Sequence, residues 1–311
     1  MPAMIRHILL AAAALVAALT AGLSAQSSLV SIFDRYTVNT KWAQLAGGWG
    51  DAYTTSVAAD GKGNVVALVR SEPYFRVFTT AGQPVRQWGA AGAFTLAHSV
   101  HFDRDGALWA TDPDAHVIHK YDANGQVVMT LGTKGTTGDN ASRTSFNRPN
   151  SVGFAANGDI YVSDGYGNSR IVQFTKTGSF VRIIGGRKGT GPGELSTVHG
   201  VAVDAQGRVL VNDADNKRVS VFDKDGTFIK TIAVPSRGGI QIAPDGTVYV
   251  SDVAAGVVTL LRNDQIVDVI KVDGRPHGLG IDPVTGDVYT ASTQPGMHNV
   301  TKSSPKAPRA N

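Results

Sequence analysis

The chain has 311 residues, including 36 glycines and no cysteine, and its formal net charge is +4. Aromatic residues are 7% and charged residues 17% of the chain, a composition that indicates a turn-rich globular protein and excludes a disordered one. The lack of cysteine excludes disulfides and a cysteine-linked lipid anchor, and the scattered basic residues indicate no nucleic-acid partner.

The first predicted element is an export signal over residues 1–25. An apolar, alanine-rich run over residues 8–23 follows a basic start and ends in small residues. The alternative is an uncleaved membrane anchor, although the run is short for a spanning helix. We expect cleavage between Leu23 and Ser27, and a mature protein that is periplasmic or extracellular and no longer bound to a membrane.

A repeated pattern fills the rest of the chain. Each unit has a short apolar strand, a glycine-containing turn and a second strand, and more alternating strands follow. The first strand and its turn recur as SVAADGKGNVV, SVHFDRDGALW, SVGFAANGDIY, GVAVDAQGRVL, GIQIAPDGTVY and GLGIDPVTGDVY. No segment after the signal has helical periodicity. Six units of four antiparallel strands predict an all-β fold, a six-bladed β-propeller over residues 26–302.

The two ends of the repeat region differ from its middle. The sixth unit stops near Ser292, too early for four strands, so we expect residues 30–45 to supply its missing outer strand and close the ring. Residues 303–311 contain prolines and charges and are predicted to be a flexible tail. The longer loops, residues 133–148 and 187–197, are candidates for function because such loops often carry it.

Histidine occupies one register of the repeat in alternate units. The residue before each first strand is, in turn, Thr55, His98, Asn150, His199, Gly238 and His277. Because the first strand of a blade is the innermost, this register on alternate blades forms a triangle around the axis. Three imidazoles with an open position match a catalytic zinc site. The alternative is three unrelated loop histidines.

The other histidines of the repeat region do not share this register. We expect them on blade surfaces or around the ligands, and not as ligands themselves: His101, His116, His119 and His298.

Four segments resemble the peptidyl-α-hydroxyglycine α-amidating lyase family: HSVHFDRDGALWATD, FNRP, SDGYGNSRIVQF and VHGVAVD. The similarity extends over residues 57–289. It implies a six-bladed propeller related to the NHL repeats, with zinc bound by the histidines that match His98, His199 and His277. It also implies that Tyr166 is the catalytic base and that Arg70 positions the substrate.

From the residues alone, both assignments have alternatives. Tyr166 could be a packing side chain, and Arg70 could belong to a surface salt bridge. Gly165 and Gly167 flank Tyr166, and we expect them to open the backbone around it.

Three positions depart from the pattern of the family. Ala214 stands where the family has an arginine, and Arg275 where it has a methionine. Gly278 replaces an aspartate that helps to bind a structural calcium in the family, although the carbonyls of Val57 and Val100 could still contribute. Calcium is therefore an open expectation, and the substrate is expected to differ in part.

The leading hypothesis is a monomeric zinc-dependent lyase. It would cleave an N–C bond of an α-hydroxyglycine-like substrate, either a small molecule or a peptide derivative, to an amide and glyoxylate. Two alternatives are a metal-dependent hydrolase of the lactonase or esterase type and a non-catalytic NHL-repeat binding propeller.

Overall fold

The computed structural model describes residues 35–43, 45, 49, 53–272, 274–294 and 300–307. The predicted signal, residues 1–25, lies outside these ranges. Within them the chain forms strands and no helix, so no described segment is a helix that could cross a membrane. The strands make six four-stranded antiparallel sheets. The predicted all-β, six-bladed β-propeller is confirmed.

Five blades are consecutive runs of four strands, each ordered from the axis outwards. Blade one has β2 (Thr54–Ala59), β3 (Asn64–Val69), β4 (Phe75–Thr79) and β5 (Pro84–Trp88). Blade two has β6 (Val100–Phe102), β7 (Leu108–Asp112), β8 (Val117–Tyr121) and β9 (Val127–Leu131). Blade three has β10 (Pro149–Phe154), β11 (Ile160–Asp164), β12 (Arg170–Phe174) and β13 (Phe180–Gly185). Blade four has β14 (Val198–Val203), β15 (Val209–Asp213), β16 (Arg218–Phe222) and β17 (Phe228–Ala233). Blade five has β18 (Ile240–Ile242), β19 (Val248–Asp252), β20 (Val257–Arg262) and β21 (Gln265–Lys271).

Blade six joins the two ends of the chain. From the axis outwards it has β22 (Pro276–Ile281), β23 (Val288–Ser292), β24 (Val300–Pro305) and β1 (Tyr36–Asn39). The outer strand comes from residues 30–45, as predicted, and pairs antiparallel with β24. The predicted flexible tail is wrong for residues 303–305, because the blade uses them in the third strand with which β1 pairs. Residues 308–311 lie outside the described part.

The core lies between the blades. Strand side chains alternate between two faces, and each face packs against a neighbouring blade. Six apolar clusters result, one at each junction between adjacent blades. At the junction of blades six and one, the Trp42 ring centroid lies 4.9 Å from that of Tyr289, and the Trp42 indole donates to the Thr80 carbonyl at 2.8 Å. Packing on both faces holds the inner strands in fixed positions around the axis.

Candidate metal centre

Three histidines converge on the axis at the start of alternate inner strands. His98 precedes β6, His199 lies in β14 and His277 lies in β22. Their ring centroids are 4.8–5.3 Å apart, and one nitrogen of each ring lies within 4.8 Å of the other two. His98 and His199 are buried and His277 is half-buried. The shared register in the repeats therefore does bring the three imidazoles together.

A backbone carbonyl of the following blade fixes the second nitrogen of each imidazole. The Nδ1 atoms of His98, His199 and His277 lie 2.7, 3.0 and 2.8 Å from the carbonyl oxygens of Asn150, Gly238 and Thr55, respectively. A carbonyl can only accept, so each Nδ1 carries the proton and each Nε2 has a free lone pair. The three acceptors are the non-histidine members of the same register. The repeat thus supplies both the candidate ligands and their supports.

Burial keeps these imidazoles neutral. Desolvation lowers the pKa of His199 to about 4 and that of His277 to about 3. It also lowers the pKa of His98 well below its ordinary value, and the neighbouring imidazoles add to this effect. A neutral imidazole is the form that binds a metal. At neutral pH the three Nε2 atoms therefore carry no proton that would have to leave before a metal binds.

The donor set fits zinc. Three imidazole nitrogens with room for a fourth ligand are typical of open catalytic zinc sites. Tetrahedral zinc with bonds of about 2.0–2.1 Å places its nitrogens about 3.4 Å apart. The ligand atoms, now within 4.8 Å of one another, need to approach by at most about 1.4 Å. Metal binding by His98, His199 and His277 stays a prediction, and the geometry is compatible with it.

Tyr166 contacts two of the three imidazoles. Its hydroxyl lies 2.8 Å from Nε2 of His98 and 3.1 Å from Nε2 of His199. Because neither Nε2 carries a proton, the phenol is the donor. Burial raises the pKa of Tyr166, and the positive charge of Arg70 opposes this rise. The hydroxyl of Tyr166 is therefore in the cluster, whereas its role as a base stays a prediction.

The two glycines beside Tyr166 serve close packing. A Cβ on Gly165 would lie 2.0 Å from the carbonyl oxygen of Val198, and a Cβ on Gly167 would lie 2.2 Å from the Asn147 side chain. Neither glycine has a positive φ. We expect from the sequence that these glycines open the backbone. The structure gives a different reason for glycine, because a side chain at either position would clash with the segments on each side of the Tyr166 loop.

The remaining polar residues of DGYGNSR anchor this loop. Asp164 accepts hydrogen bonds from the side chains of Asn168 and Arg170, both at 2.8 Å. Arg170 is fully buried and also donates to two carbonyls in the loop over residues 138–147, and Asn168 donates to a third. Only Tyr166 in this motif reaches the histidines; the others hold it there.

Arg70 follows β3 and its charge acts on the same cluster. Its Nε donates to the carbonyl of Ala97 at 3.3 Å, and its guanidinium lies 6.0 Å from the Tyr53 ring centroid. Desolvation lowers its pKa from the ordinary value. Among the described residues Arg70 has no ion-pair partner, so the alternative of a surface salt bridge is not seen. Its two terminal nitrogens have no described acceptor and suit an anionic ligand.

Three further arginines surround the site, and no motif in the sequence indicates a role for them. Arg148 lies 5.5 Å from the Tyr166 ring centroid and is paired with Asp114 at 2.9 Å. Arg237 is paired with Asp215 at 3.1 Å. The other is Arg275, whose charge lowers the pKa of His277. Each lies one or two residues before the repeat register, which is the signal that could have found them.

Asn150 is a second residue whose role the sequence did not reveal. Its side-chain oxygen accepts from the backbone of Gly165 at 3.2 Å. Its Nδ2 is buried without a hydrogen-bond partner among the described residues, and it is close enough to the Tyr166 phenol to favour ionisation there. A buried, unpaired amide donor is costly. We therefore regard Nδ2 as a candidate donor to the Tyr166 oxygen or to a bound molecule.

The remaining histidines fall into three groups. His119 lies half-buried on β8 and contacts Thr130, and His116 accepts from the backbone of Arg148 in a loop. His298 lies outside the described residues. His101 is buried on the axis, beyond the three clustered imidazoles.

The calcium suggested by the resemblance does not fit these residues. A Cβ on Gly278 would lie 2.3 Å from Cα of Ser56, so no side chain fits where the family has its aspartate. The described residues that line the small axial cavity beside the histidines include no carboxylate. Calcium usually takes six to eight oxygen ligands, carboxylates among them. These residues therefore give no support to the calcium expectation, and calcium binding itself stays untested.

The comparisons with known proteins agree with this architecture. A family profile described as a 6-bladed beta-propeller matches residues 142–238. NHL repeat-containing protein 3 of Homo sapiens is 30% identical over 246 residues, which is 70% of this chain and 70% of that protein. The chain belongs to the NHL-repeat protein family.

Two more proteins are similar to this NHL-repeat protein, one in sequence and one in fold. A probable peptidyl-alpha-hydroxyglycine alpha-amidating lyase of Caenorhabditis elegans is 36% identical over 135 residues, which is 42% of this chain and 38% of that protein. A gluconolactonase of Xanthomonas campestris superposes with a TM-score of 0.63 at 15% identity, over 83% of this chain and 87% of that one. The first confirms the predicted relation to amidating lyases, and the second shows a shared fold.

Proposed function

We propose that this NHL-repeat protein is a zinc-dependent lyase that cleaves the N–C bond of an α-hydroxyglycine amide, giving an amide and glyoxylate. One observation carries the proposal. The Tyr166 hydroxyl lies 2.8 and 3.1 Å from the unprotonated Nε2 atoms of His98 and His199, so the candidate base lies against a neutral set of candidate ligands. Homology to an amidating lyase supports it.

The chain's own residues can carry the reaction. Zinc bound to the three Nε2 atoms would supply Lewis-acid polarisation of the substrate hydroxyl. In its ionised form, the Tyr166 phenolate accepts the hydroxyl proton, and Arg70 holds the substrate carboxylate with its two terminal nitrogens. The hydroxyl carbon becomes the aldehyde carbon of glyoxylate as its bond to nitrogen breaks. The electron pair of that bond goes to the amide nitrogen, which takes the proton from Tyr166.

The surrounding charges favour this role for Tyr166. Burial raises its pKa, which by itself disfavours a base. The cations of Arg70, Arg148 and Arg237 and the nearby amide of Asn150 act in the opposite direction. A metal ion bound beside the phenol would add a further positive charge. The same arginines attract an anionic substrate.

The test is turnover of α-hydroxyhippurate by the zinc-loaded mature protein. We expect benzamide and glyoxylate in equal amounts. Zinc-free protein and His199→Ala should release neither, whereas His119→Ala, which removes a histidine far from the cluster, should match the wild type. Lactone hydrolysis without glyoxylate release would identify a metal-dependent hydrolase instead. Zinc binding with no turnover of either substrate would leave a binding propeller.

We also propose that the protein works outside the cytoplasm as a monomer. The apolar run over residues 8–23 supports this location. Mass spectrometry of the exported protein should show an N-terminus between Leu23 and Ser27, and an intact Met1 would contradict the proposal.

A further inference from the structure

A fourth histidine crosses the axial channel. His101 lies in β6, three residues after His98, and is 9% exposed. Its Nε2 lies 2.9 Å from Oγ of Ser151 on β10, and its Nδ1 lies 2.9 Å from Nε2 of Gln241 on β18. An amide nitrogen only donates, so Nδ1 accepts and Nε2–H donates to the serine. One ring therefore joins blades two, three and five.

The strands joined by this ring also orient the clustered histidines. Ser151 follows Asn150, whose carbonyl accepts from Nδ1 of His98. Gln241 is three residues after Gly238, whose carbonyl accepts from Nδ1 of His199. A shift of β10 or β18 would move these carbonyls, and with them the two imidazoles. The spacing of the candidate ligands thus depends on the spacing of the strands that His101 connects.

The same ring separates two spaces along the axis. A cavity of about 20 Å³ lies between His101 and the three clustered histidines, which is room for about one water molecule. On the other side of His101 a cavity of about 740 Å³ is lined by Gln241 and by the far ends of the inner strands. The ring therefore closes the channel behind the histidine cluster.

Burial lowers the pKa of His101 to about 4, so its ring is uncharged at neutral pH and can both accept and donate. Hydrogen bonds then link blades across the axis.

We infer that the bridge of His101, Ser151 and Gln241 positions the three-histidine centre. The inference rests on the metal site proposed above. His101 is a positioning residue: it touches neither metal nor substrate, and acts through the carbonyls that orient His98 and His199.

The experiment that tests this role measures metal binding in His101→Ala, with His119→Ala as the matched control from the same blade. Zinc affinity is measured by competition with a chelator, and the visible spectrum of the cobalt-loaded protein reports ligand geometry. We expect His101→Ala to bind zinc about 10- to 100-fold more weakly, the usual effect of losing support around a ligand, and to change the cobalt bands. His119→Ala should match the wild type in both.

A milder variant covers the case in which His101→Ala does not fold. Gln241→Leu removes one of the two hydrogen bonds of the ring and keeps the histidine. We expect an intermediate loss of zinc affinity and a smaller change in the cobalt spectrum. If the melting temperature falls in these variants while zinc affinity and cobalt spectrum stay at wild-type values, the positioning role is overturned.

The outcomes separate this inference from the proposed function. If the wild type binds neither zinc nor cobalt, the metal site fails and the positioning role falls with it. If the wild type and His101→Ala bind zinc equally, only the role of the bridge is lost.

Discussion

Blades three and four anchor a loop in the same way. In blade three, Asp164 pairs with Arg170 at 2.8 Å, and Asn168 and Arg170 hold the loop over residues 138–147. In blade four, Asp213 pairs with Arg218 at 2.7 Å, and a second set of carbonyls, in residues 189–194, accepts from Arg218 and Asn216.

The two loops differ at the residue that each turn presents to the axis. The turn of blade three carries Tyr166, whose hydroxyl touches two histidines. The turn of blade four carries the buried Ala214, followed by Asp215, which pairs with Arg237. The comparison teaches that most of a DGYGNSR-like motif is a scaffold shared between blades. The chemistry depends on a single side chain that the scaffold holds.

The largest expected effect comes from Tyr166→Phe. The substitution removes the hydroxyl and keeps the ring, so lyase turnover should fall by about two to four orders of magnitude, the usual contribution of a general base. Zinc content and melting temperature should hardly change, because the ligands and the core are untouched. Near-full turnover of α-hydroxyhippurate by this variant would show that Tyr166 is not the base.

The next test breaks the scaffold in each blade in turn. Arg170→Met leaves the buried Asp164 without its cation and should cost about 3–5 kcal/mol in the free energy of unfolding. Arg218 is 15% exposed, so water can partly replace it, and Arg218→Met should cost about 1–3 kcal/mol. Urea denaturation measures both.

Turnover of the same two variants sharpens the comparison. Only Arg170→Met should also lose lyase activity in its folded form, because only blade three holds Tyr166. Equal losses of activity in the two variants would contradict a specific role for the loop of blade three.

The repeat register gives a third test, because blade three has Asn150 where blade four has His199. Burial lowers the pKa of His199 to about 4, against about 6.5 in an unfolded chain. Between these values the unfolded chain binds a proton that the folded chain does not, so stability falls as the pH falls from 6.5 towards 4. In the metal-free protein, His199→Asn should make this fall in the free energy of unfolding smaller by on the order of 3 kcal/mol. Urea denaturation at several pH values measures how the free energy of unfolding depends on pH. The wild type and the variant should show the same dependence if the pKa of His199 is not lowered by folding.

The smallest expected effect is that of Asp215→Asn. It releases Arg237 from an exposed ion pair, which stabilises the fold by at most about 1 kcal/mol. The melting temperature should hardly change. The KM for an anionic α-hydroxyglycine substrate should fall by about two- to five-fold, and the gain should disappear at high salt. A higher KM would indicate that Asp215, and not Arg237, contacts the substrate.

The sequence predicted those features that recur from unit to unit. The alternating strands and the glycine turns recur in all six units, and His98, His199 and His277 occupy the same register in three of them. The outer strand from residues 30–45 followed from counting strands in the last unit. Residues 303–305 are predicted as a tail because their serines and proline lack the alternating pattern of a strand, whereas the structure pairs them with β1 and also pairs Ser303 with Val288 of β23.

The parts that could not be predicted depend on contacts between distant segments. His101 meets Ser151 and Gln241, which are 50 and 140 residues away along the chain. The role of Gly278 depends on the backbone of blade one, which is adjacent in the ring but lies near the other end of the chain. Nothing in the local pattern around any of these residues indicates its partner.

The pairing of β1 with β24 has a consequence for biosynthesis. Five complete blades and the two inner strands of blade six lie between the two strands, with Asn39 ending the first and Val300 beginning the second. At a ribosomal rate of about 5–20 residues per second, β1 waits roughly 13–50 s for its partner. During that time its edge and the facing blade are exposed to proteases and to other chains. Closure of the ring is therefore a late step, which cannot be completed before β24 has been synthesised.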